Sequence, residues 1–349
     1  MSIRYGFVGC GNISKFHFSA LDKIGAKVTW VADIDLEAAK RRAAQHGARA
    51  TDDYNELIEA QDVDVVCILA SASVHKDVAL KSIAAGKHVI CEKTMTACEN
   101  DARQVLSAAE ASGKVFFMSY MKRFFSAAKK AQALLPEIGK VFSAYTRSYQ
   151  AWGDFFTQDA HGWNLDAILK NYGGAVTKCA GSHMLDMVMW LLGKPEHVYA
   201  NINYYSQTDF DRRATALLEY DDHKIVTFET LAHPLRRIGY ERNSWDEYIE
   251  INGVGGRITL YTTMWDHPEN NGALLVHYDN ATESSTEFRF APENPFDLEI
   301  AYFDECMRNG MQGRPNARDG YNVDILIERM FQSSKENRRV TIDWGTPGE

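Results

Sequence analysis

The sequence predicts an α/β protein with a doubly wound parallel sheet at the N-terminus, then an α+β domain with an open, mostly antiparallel sheet. Three observations predict it. The first ~120 residues alternate strand-like and helix-like patterns, the mark of a parallel sheet covered on both faces. A glycine turn, Gly9-Cys10-Gly11, joins the first strand to the first helix. Beyond "KVFSAYTRSYQAW", long alternating runs separated by turn residues replace that rhythm. The boundary is set at the change of pattern, giving domains 1–122 and 123–349.

The elements follow in order. "IRYGFVG" reads as a strand and "NISKFHFSALDKI" as the helix after it. "KVTWVADI" is the second strand, and "LEAAKRRAAQHG" a helix closed by Gly47. "YNELIEAQ" is a short helix. "VDVVCILAS" is a continuous apolar run suited to a central strand buried on both faces. Helix, strand, helix and strand follow in "HKDVALKSIAAG", "HVICEK", "ACENDARQVLSAAEASG" and "VFFMSY". The second half opens with a helix, "SAAKKAQALLPEIG", and a strand. A polar, aromatic-rich stretch over 153–172 leads to a helix around 183–193. Strands are expected in "HVYANINYY", "RATALLEYDDHKIVTFETLAH", "DEYIEINGVGGRITLY" and "ALLVHYD", with turns at "YDDHK" and "NGVGGR". Two helices, about 297–310 and 319–335, and a short strand, "RRVTID", end the chain.

Composition narrows the function. The 349 residues carry a formal net charge of −9, which points away from nucleic acid and anionic membranes as partners. The chain opens directly into a strand, and no apolar run reaches the ~18 residues of a membrane span. The six cysteines show neither CxxC pairs nor zinc spacing, so we expect no metal and a reducing, cytoplasmic setting.

Gly9-Cys10-Gly11-Asn12-Ile13-Ser14 has the spacing of a Rossmann dinucleotide turn, with Ser14 where a third glycine or alanine usually lies. Gly9 permits the turn. Gly11 lets a pyrophosphate approach the backbone, and the helix start at Asn12 and Ile13 offers amides to its charge. Asp33 ends the second strand, where a carboxylate accepts ribose hydroxyls and repels a 2′-phosphate. Ile34 beside it offers no cation to such a phosphate, so NAD is expected over NADP. Ala70 and Ser71 end the third strand at the carboxyl edge, where ligands dock in open α/β sheets. His75 opens the next helix, in either a cofactor or a structural role.

Glu92-Lys93 closes a later strand and faces the same crevice. A partly desolvated lysine beside a cofactor can act as acid or base. Glu92 can restrain it or hold the nicotinamide ribose. The alternative for this pair alone is a surface ion pair on a turn.

"GFVGCGNIS", "ADID", "AGKHVICEK", Arg123-Phe124, "GG…GSHMLD" and the C-terminal "NPFDLEIAYFDECM…DGYNVDILIERMFQSS" together resemble the Gfo/Idh/MocA family of NAD(P)-dependent sugar and polyol oxidoreductases. The resemblance covers nearly the whole chain. It implies that Lys93 is the catalytic lysine, with Thr94 replacing a usual proline, and that His183 is the active-site histidine. Many members carry an aspartate four residues before that histidine, and here the position holds Cys179. Either His183 works with another partner, with Asp166 as the candidate, or it only positions substrate. A reactive Cys179 is a third option.

Substrate contacts are expected from Arg123, Tyr149, Trp152, Trp163, Asp166, Cys179 and His183, since aromatic faces and polar tips suit a carbohydrate. The expected activity is NAD-dependent hydride transfer at a secondary alcohol of a sugar, sugar derivative or cyclic polyol. An NAD-dependent glycosidase or epimerase with transient oxidation, and a non-enzymatic NAD-binding regulator, are the alternatives. The open sheet predicts a homodimer or homotetramer.

Overall fold

The computed structural model describes residues 2–157, 164–206, 208–267 and 269–345, without the side chains of 171 and 172. Its first half is laid down as β1 (Arg4–Val8), α1 (Ser14–Lys23), β2 (Lys27–Ala32), α2 (Leu36–His46), β3 (Arg49–Thr51), α3 (Tyr54–Glu59), β4 (Val65–Ile68), α4 (Ala72–Ala84), β5 (His88–Cys91), α5 (Glu99–Ala111) and β6 (Phe116–Met118). The six strands are parallel, in the order β3-β2-β1-β4-β5-β6. That order reverses between β1 and β4, which opens a crevice at their carboxyl ends. β4 and β5 are the near-continuous apolar strands that burial on both faces demands. α2 begins where the Asp35 carboxylate accepts the Glu37 and Ala38 amides, and it ends on Gly47 at φ +62°.

The second half adds α6 (Ser126–Leu134), β7 (Val141–Gln150), α7 (Leu165–Tyr172), a π-helical turn over Thr177–Gly181, α8 (Ser182–Leu192), β8 (His197–Tyr204), β9 (Asp211–Glu219), β10 (Ile225–Ala232), β11 (Asp246–Gly253), β12 (Gly256–Tyr261), β13 (Leu274–Asp279), β14 (Ser284–Arg289), α9 (Pro295–Arg308), α10 (Ala317–Glu336) and β15 (Val340–Thr341). Nine strands form one sheet, β14-β13-β12-β11-β7-β10-β9-β8-β15. Every pairing is antiparallel except β7 with β10. The expected turns are present at 220–224 and at 254–255. The sequence reading missed β3, β14 and α7. β3 is three residues long, β14 ("SSTEFR") is almost wholly polar and exposed, and α7 lies in what read as an irregular stretch.

Alternation along β7 decides which side chains can reach the site. Ala144, Thr146, Ser148 and Gln150 are buried, on the face that packs against the helices. Tyr145, Arg147 and Tyr149 point to the opposite face. There Tyr149 and Tyr145 donate to the Glu229 carboxylate, and Arg147 pairs with Asp246 at 2.7 Å. Tyr149, expected at the substrate, is therefore on the outer face of the sheet.

α9 returns from the far end of the chain onto the first sheet. Phe303 stacks on Phe117 at 4.0 Å, and the Tyr5 hydroxyl donates to Asp304 at 2.7 Å. Ile300, Phe303, Cys306 and Met307 belong to the same apolar cluster as Tyr5, Phe7 and Val31. Each such side chain contributes about 1.5–3 kcal/mol by burial. The nucleotide-binding half is thus packed in part by residues remote in sequence.

Candidate active site

The crevice is built for a dinucleotide. Gly9 has φ +104°, and a Cβ there would meet the Leu69 and Ala70 backbones at 2.7 Å, so only glycine fits. A Cβ on Gly11 would meet nothing within 4 Å, which leaves open space beside the backbone for a pyrophosphate. No side chain caps the start of α1; the Ser14 and Phe16 amides donate to the Gly11 and Ile13 carbonyls, so an anion would draw on the amides of the turn itself, at Asn12 and Ile13. Asn12 itself is exposed. Ile34 is 96% exposed, a bare apolar face next to Asp33. These residues fit NAD.

Two residues expected at the cofactor have partners within the protein. The His75 ring is buried, with Nδ1 2.9 Å from the Thr94 carbonyl and Nε2 3.1 Å from the Ala70 carbonyl. It ties the start of α4 to the loop after β5 and has no nitrogen left for a ligand. Glu92 accepts from His17 Nε2 at 2.8 Å and from the Lys93 backbone amide at 3.2 Å. Its carboxylate is used inside the protein, and it restrains Lys93 through the main chain. Ser71 donates to the Lys170 carbonyl on α7 at 2.8 Å, so its hydroxyl also joins the two halves.

Lys93 reaches across from the carboxyl end of β5 to the π-helical turn. Its Nζ donates to the Cys179 carbonyl at 2.8 Å and lies 4.0 Å from Cys179 Sγ. His183 is one turn further on, at the start of α8, with its ring edge-on to Tyr120 at 6.1 Å. Burial first, then the charges of Lys93 and Lys122, hold this imidazole well below its ordinary value. That direction favours the neutral imidazole. Asp166 does not supply the missing carboxylate: it is exposed on the first turn of α7, and its charge is not among those acting on His183. Burial also pushes the Cys179 thiol up, with Lys93 opposing, so the reactive-thiolate option loses its basis.

Arg123, expected at the substrate, is held in an ion cluster. It is buried, with Nε 2.8 Å and Nη2 2.5 Å from the two Asp186 oxygens, and Nη2 3.0 Å from Asp319. Asp186, itself fully buried, is its partner. The neighbour Lys122 is, after Lys93, a second cation whose charge acts on His183, and the sequence reading passed over it. Its ammonium is buried and donates to Glu247, which also accepts from Ser148 at 2.5 Å and Trp245 at 3.0 Å. The available signal was a second charge in "MKRFF", an otherwise apolar segment. His17 and Glu299 were also missed. Glu299 is a fully buried acid on α9 whose carboxyl is pushed well above the usual range by burial and by Glu92. Trp152 packs on Phe210 at 6.2 Å in a satellite apolar cluster with Phe155 and Ala232. Trp163 lies outside the described residues.

The family models settle the identity. The description "Oxidoreductase family, NAD-binding Rossmann fold" matches residues 3–120, and "Oxidoreductase family, C-terminal alpha/beta domain" matches residues 135–342. The chain belongs to the Gfo/Idh/MocA oxidoreductase family. It is an NAD-binding oxidoreductase. An inositol 2-dehydrogenase of Ralstonia nicotianae is 27% identical over 96% of this chain and 95% of its own length. An inositol 2-dehydrogenase/D-chiro-inositol 3-dehydrogenase of Shouchella clausii is 26% identical over 98% and 95%. A levoglucosan dehydrogenase solved with NADH and levoglucosan superposes with TM-score 0.84 at 19% identity, covering 98% of this chain and 100% of that one. That last likeness concerns the fold. Among the described residues no helix is long and apolar enough to cross a membrane, and no cluster of histidine, cysteine and acids has metal-binding geometry.

The departure at Cys179 within this Gfo/Idh/MocA chain can be tested directly. Replacing Cys179 by Ala keeps the backbone carbonyl that holds Lys93, so turnover should stay within a factor of a few. Replacing it by Asp puts a carboxylate beside Lys93 and one turn from His183. The imidazolium should then be stabilised, and the acid limb of kcat/KM against pH should move to higher pH. A limb unmoved by Cys179→Asp would show that His183 is not electrostatically linked to this position.

Proposed function

We propose that this protein oxidises a secondary alcohol of a sugar, sugar derivative or cyclic polyol, with NAD as hydride acceptor. The observation that carries the reading is Lys93 Nζ, held 2.8 Å from the Cys179 carbonyl between the dinucleotide crevice and His183. The similarity to inositol dehydrogenases favours the substrate class. NAD when bound supplies the acceptor for the hydride. Lys93, in its neutral form, takes the hydroxyl proton; in its charged form it stabilises the alkoxide that must develop as the hydride leaves. His183 Nδ1 is buried without a hydrogen-bond partner. A bare lone pair is less costly there than an unmet N–H, which puts the ring proton on Nε2 as a donor to the substrate oxygen. Burial, with the charges of Lys93 and Lys122 behind it, favours the neutral form of that ring.

We also propose a homodimer or homotetramer. Tyr199 and Leu217, opposite each other on β8 and β9, lie 40% and 41% exposed on the outer face that carries Tyr145 and Tyr149. A second sheet would cover them.

The test is a panel of inositols, aldoses and anhydrosugars with NAD, read by the near-ultraviolet absorbance of NADH. Net, stoichiometric NADH from at least one polyol supports the proposal. Conversion with retained coenzyme and no net NADH would replace it by transient oxidation. Tight NAD binding with no conversion of any kind would replace it by a regulatory role.

A further inference from the structure

Two segments from the two halves of the chain exchange lysine–carbonyl contacts. From the loop after β5, Lys93 Nζ donates to the Cys179 carbonyl at 2.8 Å. From the π-helical turn, Lys178 Nζ donates to the Ala97 carbonyl at 2.6 Å and lies 3.4 Å from Glu328 Oε1. Each lysine thus ends on the backbone of the segment that carries the other. Lys178 is buried, and Gly174 gives its stem room: a Cβ there would meet Lys178 Cδ at 2.7 Å.

Both segments are anchored from behind. On the side of the π-helical turn, the buried Asp211 of β9 accepts the Ala175 amide at 3.1 Å and the Thr177 amide at 2.7 Å. On the side of the loop, His75 holds the Thr94 carbonyl, and α10 supplies Asp324. Asp324 Oδ2 accepts the Thr96 amide at 2.9 Å and lies 3.2 Å from the Thr96 hydroxyl. Asp324 is buried, which pushes its carboxyl up to about 7, and the charge of Lys178 pulls it back. Lys178 and Asp324 are therefore one cluster, closing on the neighbours Thr96 and Ala97. A buried lysine is weak ground for stability, since apolar groups of similar volume often do as well or better. What it adds is place. A hydrogen bond to one carbonyl is met in one position, whereas apolar faces can slide. Three residues before Thr96 stands Lys93, whose amine must be set to within a fraction of an ångström of its task.

We propose that Lys178 and Asp324 are positioning residues for Lys93, locking the loop after β5 to the π-helical turn so that the Lys93 amine is presented to the substrate oxygen at a fixed place. The catalytic consequence rests on Lys93 being the proton carrier of the proposed function; the clamp itself does not.

The test compares the whole native protein with its Lys178→Met, Asp324→Leu and Asp324→Asn variants, all well below their melting temperatures. One readout needs no substrate: the rate at which acetic anhydride acetylates Lys93, followed by peptide mass spectrometry. The other is kcat and KM on a polyol that the native protein oxidises, with NAD affinity by titration. In Lys178→Met, Lys93 should be acetylated about fivefold faster, as the loss of one net hydrogen bond implies. Its kcat should fall about 10- to 100-fold, with KM and NAD affinity close to native. Asp324→Leu should behave alike. Asp324→Asn should keep most of both properties, because its amide oxygen still accepts from Thr96. Native acetylation of Lys93 in both Lys178→Met and Asp324→Leu would overturn the proposal, whatever the melting temperatures. So would faster acetylation with native kcat, in a protein that Lys93→Ala inactivates. Should Asp324→Leu not fold, Lys178→Met decides alone. Native turnover in Lys93→Ala would sink the proton-carrier reading separately, and if no sugar is oxidised the acetylation rates still decide whether the clamp exists.

Discussion

Lys93→Ala is expected to lower turnover about 10³-fold while NAD affinity stays close to that of the native chain. That loss corresponds to about 4 kcal/mol of transition-state stabilisation. The expectation rests on geometry. Lys93 emerges from β5 at the carboxyl edge of the first sheet, and its ammonium is spanned to the Cys179 carbonyl of the second half. The dinucleotide turn, Asp33 and the bare Ile34 are all remote from that ammonium and should be unaffected. Glu92 would still hold the backbone amide of residue 93, and His17 would still hold Glu92. The measurement is a single-turnover rate alongside a titration of NAD. Unchanged turnover in the variant would end the mechanism. Loss of NAD binding in proportion to turnover would move Lys93 from proton transfer to coenzyme attachment.

Arg123→Ala is expected to be the most destabilising single change at the junction of the two halves. Removing one partner from a buried ion cluster costs about 3–5 kcal/mol, because the other charges are left without compensation. Asp186 already has its carboxyl pushed up to about 6 by burial, with Arg123 pulling the other way. Burial also pushes Asp319 up, but Arg314 and Arg123 hold it below its usual value. Without the guanidinium, the folded-state pKa of Asp186 should rise further above its unfolded value. A raised carboxyl favours the folded state below the unfolded pKa, and that contribution is lost as pH rises through the folded pKa. The deficit in thermal stability should therefore be larger at pH 8 than at pH 5.5. A deficit independent of pH, or a near-native melting temperature at both, would show that the cluster does not carry the junction. Arg123→Lys should recover only part, because an ammonium cannot repeat the two-pronged contact with Asp186.

Much of this molecule is legible in one dimension because the relevant physics is local. A glycine that must take φ +104° stays a glycine wherever the chain goes, and an apolar run of four residues between turn signals is a buried strand. The Gly9–Ser14 turn, Asp33 and the strand end at Lys93 were readable for that reason. The alternating strands and the turns at 220–224 and 254–255 followed from period-2 patterning and glycine chemistry. β14 escaped because an edge strand exposed along most of its length carries no apolar face to betray it.

The sequence by itself determined the two-part architecture, the dinucleotide turn and the types of residue offered to the chemistry. Only the tertiary structure decided which of those residues share a site. Tyr149 points away from the crevice because of its parity on β7. Arg123 is neutralised by carboxylates 63 and 196 positions away in the chain, and Glu92 is hydrogen-bonded to a histidine 75 positions back. Lys122, one residue from Arg123, joins Lys93 as a cation that acts on His183. Electrostatic pairing and burial are set by distance in space. Charges that look free along the chain are compensated or exposed according to what folding brings against them.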